Sequence, residues 1–98
     1  MKLERNRVRS EKLYSIGYSP KLDKHILCCV VPGSAWYDRY YEISEEMFNS
    51  FDNDPIELDK LVDDIRKANY ESDGFLCSDM ANENTDEQLE ILHILKSE

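Results

Sequence analysis

Apolar side chains along this chain repeat with a period of two in some stretches and about 3.6 in others, and the switches mark its elements. Leu13-Tyr14-Ser15-Ile16-Gly17-Tyr18 alternates, with Tyr14, Ile16 and Tyr18 on one face, and predicts a strand. Ser19-Pro20-Lys21-Leu22-Asp23-Lys24 reads as a turn, because Pro20 has no N–H for a ladder and Ser19 and Asp23 offer local side-chain bonds. His25 to Val31 is apolar and β-branched without clean alternation, which suits a central strand covered on both faces. Pro32-Gly33-Ser34 breaks that run. Trp36 to Ile43 is the third strand, with Tyr37, Arg39, Tyr41 and Ile43 on one face and Trp36, Asp38, Tyr40 and Glu42 on the other. Two short connections in succession favour an antiparallel meander.

The period then lengthens. Ser44 has the character of a helix N-cap, and Glu45 and Glu46 suit the positive end of the helix dipole. This helix places Met47 and Phe51 on one face and ends near Asn53. Asp54-Pro55-Ile56-Glu57 starts a second helix: Asp54 caps, Pro55 takes the first helical position, and Glu57 is placed to reach back as in a capping box. Leu58, Leu61, Val62 and Ile65 form its buried stripe, leaving Asp59, Asp63 and Asp64 in solvent. The helix fades by Tyr70, and Ser72-Asp73-Gly74 is a turn. Phe75 to Ser78 is a short strand. Residues 89–96 fit an alternating strand (Leu89, Ile91, His93, Leu95) as well as a helix, but Thr85-Asp86-Glu87-Gln88 has capping-box form and favours the helix.

Residues 1–12 are polar and basic without sustained periodicity and are expected to form a poorly ordered arm before a single acidic domain, 13–98. The expected class is α+β in the order β-β-β-α-α-β-α, with the helices packed on one face of a small, mainly antiparallel sheet.

Length and composition bound the rest. At 98 residues the chain is one domain with an adequate but small core, and 41% hydrophobic residues suffice to pack it. The longest apolar run, Ile26 to Val31, is too short to cross a bilayer. Met1 to Arg7 shows no apolar stretch behind its basic residues, so a secretory signal is not expected and the cytoplasm is the expected compartment. Cys28 and Cys29 point to opposite faces of a strand and cannot both reach Cys77, so three buried structural thiols are expected rather than a disulfide framework or a zinc knuckle.

Charge changes the picture more. Eighteen of the twenty-one carboxylates lie between Asp38 and Glu98, which carry about −13, against about +4 for residues 1–37. Such a chain repels nucleic acid and anionic lipid and attracts a basic protein. No catalytic constellation accompanies the charge. His25 and His93 are the only imidazoles, the three glycines are scattered, and Asp52/Asp54 and Asp63/Asp64 lack calcium-loop spacing. Neither a cofactor nor a metal is expected, and the chain reads as a binding protein rather than an enzyme. Trp36-Tyr37-Asp38-Arg39-Tyr40-Tyr41-Glu42 packs four aromatics and three charges into one strand, so Trp36 and Tyr40 are candidate partner anchors.

Tyr18 to Lys24, Ala35 to Glu46, Phe75 to Asp79 and Glu83-Asn84 together resemble a family of small bacterial immunity proteins encoded beside polymorphic or contact-dependent growth-inhibition toxins. The Trp-Tyr-Asp-Arg-Tyr-Tyr segment, residues 36–41, is the most specific part, and the similarity spans roughly residues 13–90. The resemblance implies a cytosolic inhibitor of a cognate toxin domain, often a nuclease, and carries no catalytic motif. The alternative is an acidic, nucleic-acid-mimicking regulator or adaptor that binds a host nucleic-acid-binding protein. Carboxylates in turns and at helix starts, Asp52, Asp54, Asp73, Asp79, Glu83 and Asp86, are the expected partner-binding acids, with Asp59, Asp63 and Asp64 expected as solvated rim or unrelated surface and not as hot spots.

Overall fold

A computed structural model of the chain describes residues 2–32, 36–68 and 73–98. Five strands lie in chain order across one antiparallel sheet: β1 (Glu4–Arg9), β2 (Tyr14–Ser19), β3 (Lys24–Val31), β4 (Tyr37–Ile43) and β5 (Phe75–Ser78). The helices are α1 (Glu45–Ser50), α2 (Ile56–Ala68) and α3 (Asp86–Lys96). The α+β class and the order of elements from β2 onward are those the sequence predicts. The predicted breaker residues Gly33 and Ser34, the end of α2 at Tyr70 and the turn residue Ser72 lie outside the described residues.

Residues 4–9 are not a frayed arm. They pair with β2, Arg7 opposite Ile16 and Arg9 opposite Tyr14. The alternate residues Arg5 and Arg7 lay their guanidinium groups over the Phe48 ring, 4.8 and 4.5 Å from its centroid, and Arg7 also pairs with Asp52. Arg9 forks onto Asp59, with Nε and Nη2 donating to the two carboxylate oxygens at 3.2 and 3.0 Å. Arginine stems thus take the place of apolar side chains along this edge. A register shift between Glu4 and Arg7 and the positive charge also discourage the addition of a further strand.

The first face of the sheet carries Tyr14, Ile16, Leu27, Cys29, Tyr41 and Ile43, which close a core with Phe48 of α1 and Leu58, Val62 and Ile65 of α2. Ser44 caps α1 by accepting from the Met47 N–H at 3.1 Å. The α1 residue that enters the core is Phe48, with Met47 and Phe51 half-buried beside it, a shift from the expected Met47/Phe51 face. Asp54 caps α2 by accepting from the Ile56 N–H at 3.1 Å. The predicted box with Glu57 does not close, because the Asp54 N–H instead donates to the Ser50 carbonyl at 2.9 Å, joining the two helices directly.

The expectation that all helices share one face is corrected by α3. It packs Leu95, Ile91 and Leu92 on the opposite face, against Ile26, Cys28, Tyr40, Leu76 and Cys77. A bulge in β5 adds to this contact. Leu76 is the extra residue between the Tyr40–Cys77 and Tyr41–Phe75 pairs, so Leu76 and Cys77 both serve the second face. The capping box decides helix over strand here. Thr85 Oγ1 accepts from the Gln88 N–H at 3.2 Å, and Gln88 Oε1 accepts from the Thr85 N–H at 2.8 Å. The chain end is tied back by Glu98, which accepts from Ser19 Oγ at 2.7 Å and the Lys21 N–H at 3.0 Å. No helix among the described residues is long and apolar enough to cross a membrane.

Candidate partner-binding surface

Because α3 is a single helix, it covers only part of the second face. The rest is an open groove of about 590 Å³. Cross-strand pairs place Val8 beside Ser15, Ser15 beside Cys28, and Val30 beside Asp38, and these five residues line it. Lys2, Leu3 and Asn6 flank one part of the groove, and Ser10 and Leu13 another. Leu3 reaches this face because position 17 is glycine, where a Cβ would come within 2.6 Å of the Leu3 Cβ. Val8 is 65% exposed although it belongs to a paired strand. Leu13 is exposed with a left-handed backbone, φ 59°, held by its own carbonyl, which accepts from the Val30 N–H at 3.0 Å and from Arg66 Nη2 at 2.9 Å.

Asp38 marks one end of the groove. Its backbone N–H donates to Asp79 Oδ2 at 3.4 Å and its carbonyl accepts from the Asp79 N–H at 3.0 Å. Its own carboxylate is half-buried and makes no ion pair among the described residues. Burial, then the neighbouring Asp79 charge, pushes its pKa up, with Lys96 opposing. Asp79 is itself engaged: it accepts from Tyr40 Oη at 2.9 Å and pairs with Lys96 at 3.1 Å.

The sequence-predicted site residues divide sharply. Trp36 is 64% exposed and lies two residues from Asp38 along the chain. Tyr40 is not available as an anchor: it is fully buried beneath α3, with its hydroxyl held by Asp79 and Lys96. Glu83 is not a freely presented acid either. It is 11% exposed and accepts from Arg39 Nε at 2.9 Å, Arg39 Nη2 at 2.8 Å and Tyr37 Oη at 2.8 Å. The Arg39 guanidinium, aided by Ser78 and Tyr37, holds its pKa down at about 2 against the cost of burial. Asp52 pairs with Arg7, and Asp54 caps α2. Of the predicted acids, Asp73 and Asp86 remain exposed without an ion pair among the described residues.

Asp59 departs from its predicted place in solvent. Its side chain is 13% exposed, receives Tyr14 Oη at 2.8 Å as well as the Arg9 fork, and has its pKa lowered, chiefly by Arg9. Asp63 and Asp64 are exposed as expected. With them, Glu45, Glu46, Glu57, Glu87 and Glu90 form a set of exposed helical carboxylates without an ion pair among the described residues. The groove residues Val8, Leu13, Val30 and Asp38 were not anticipated as a surface. The signal for them was the Arg5/Arg7/Arg9 alternation, which places Val8 on the opposite side of an edge strand.

The thiols are poor nucleophiles. Burial pushes Cys28 and Cys77 up to about 12 and raises Cys29 as well. Among the described residues no group of three or more His, Cys, Asp or Glu side chains is arranged to hold a metal ion. No protein-family model, curated protein or solved structure matches the chain.

Proposed function

We propose that this chain is a cytoplasmic immunity protein that binds and neutralises a cationic toxin domain, a nuclease in the leading reading, by covering its active site rather than by catalysis. One observation carries the reading. Internal ion pairs engage Arg7, Arg9, Lys24, Arg39 and Lys96, yet Asp63, Asp64, Asp86, Glu87 and Glu90 stay exposed on α2 and α3 without a partner among the described residues. Self-repulsion of this kind does not stabilise a compact fold, but it speeds encounter with a positive surface. A nuclease fits because a domain that binds phosphate presents such a surface. The resemblance of residues 36–41 to immunity proteins points the same way.

The test is affinity capture from extracts of the native host at low salt, identification of what binds, and co-expression of that protein with and without this chain. The expected result is a basic toxin domain whose growth inhibition this chain relieves. Capture of a host nucleic-acid-binding protein whose expression is harmless would replace this reading with a nucleic-acid-mimicking regulator.

A further inference from the structure

We propose that the open half of the second sheet face, resting on the reading above, receives a lysine or arginine side chain from an extended segment of the basic partner, with the cation against Asp38. The groove offers the two chemistries such a side chain needs. Val30, directly opposite Asp38, and Leu13 beside it give an apolar wall for its methylene stem, Val8 carries that wall on to the β1 edge for the rest of the segment, and Asp38 gives a half-buried carboxylate without an ion pair among the described residues. Asp79 and Lys96, the charged groups nearest Asp38 on the α3 side, already hold each other and the Tyr40 hydroxyl, and Lys2 is the one cation that borders the groove among its lining residues. An arriving cation supplies a direct counter-charge that offsets the cost of holding the Asp38 carboxylate half-buried beside Asp79.

A second copy of this chain is a poor occupant, because each copy carries a net charge of −9. Nucleic acid is excluded by the same charge. The backbone bordering the groove is fixed: Leu13 closes the 3₁₀ turn Ser10–Lys12 in a left-handed conformation with its side chain exposed, and the Val30 N–H and Arg66 both hold its carbonyl.

The probe is the capped peptide Ac-Ser-Val-Lys-Val-Ser-NH2, titrated into the isotopically labelled full chain, with a norleucine peptide of the same length as control. The expected result is amide shifts at Val8, Ser15, Cys28, Val30 and Asp38, with affinity about tenfold weaker for norleucine and for Asp38→Asn. Val8→Glu, at an exposed position, abolishes the shifts without altering the circular dichroism spectrum. Equal binding of the two peptides, or shifts confined to the helices, would overturn the proposal. Poly-L-lysine separates the two levels. If it perturbs only α2 and α3 while the peptide leaves the groove silent, the groove fails and the acidic-binder reading stands. If the peptide enters the groove but no basic protein is ever captured from the host, the groove stands and that reading fails.

Discussion

The two faces of the sheet are built from the same strands and end up in opposite conditions. The first is closed by two helices and sealed along its β1 edge by arginines stacked on Phe48 and Phe51 and forked onto Asp59. The second is closed by one helix over β3, β4 and β5, and stands open where β1 and β2 complete the sheet. The difference separates two uses of charge. Asp52 and Asp59 on the first face are paired with Arg7 and Arg9, and Asp79 on the second with Lys96. Asp38 beside the apolar groove and the outer carboxylates of α2 and α3 have no ion pair among the described residues. An acidic residue's place in a loop or on a helix therefore says less about its role than whether the sheet edge or α3 brings a cation within its reach.

The largest effect expected from this contrast is on stability. Phe48→Ala removes a fully buried ring from beneath two guanidinium groups and should cost about 3–5 kcal/mol in urea unfolding. Val8→Ala, on the open face, should stay within about 0.5 kcal/mol. Similar losses for both would erase the distinction between the faces.

Next comes Glu83. Replacing it with alanine leaves Arg39 buried without its main anion and should cost about 3 kcal/mol. The pair also makes stability depend on pH. Glu83 is held at about 2 in the folded protein against an ordinary 4.5, so its contribution is fully present above pH 4.5 and is lost as pH falls towards 2. Asp59, also lowered, adds the same sign. Urea midpoints collected down this range should fall less steeply for Glu83→Gln than for the parent chain; parallel curves would remove Glu83 from the account.

What was legible in the sequence was local. Ser44, Asp54 and Thr85 each accept the N–H bond that their place before a helix predicts, and the Leu58/Val62/Ile65 stripe is buried as its period requires. The alternation of β4 was legible too: Tyr41 and Ile43 enter one core and Tyr40 the other. What escaped was long-range. β1 looks solvated because its arginines find anions such as Asp59, 50 residues along the chain. Glu83 looks like a free loop acid because Arg39 lies 44 residues away. The bulge at Leu76, which turns a second apolar side chain of β5 towards α3, is not announced by four residues of strand. The site was the least legible part, since a groove is the absence of a covering element.

The smallest expected effect is kinetic. At mildly alkaline pH all three thiols should alkylate far more slowly than a free cysteine, because burial keeps them protonated. Cys28, which lines the groove, should react before Cys29, which is sealed beneath α1 and α2. Mass-mapped labelling gives the order, and Cys29 reacting first would mean that the closed face opens more readily than the open one.

The central claim is that the negative charge left unpaired on this fold recruits a positive partner. The direct measurement is the association rate of the chain with the basic protein it captures, followed from low to high ionic strength. The account predicts a fall of at least about tenfold as salt screens the encounter, with the dissociation rate changing less. An association rate indifferent to salt would contradict it.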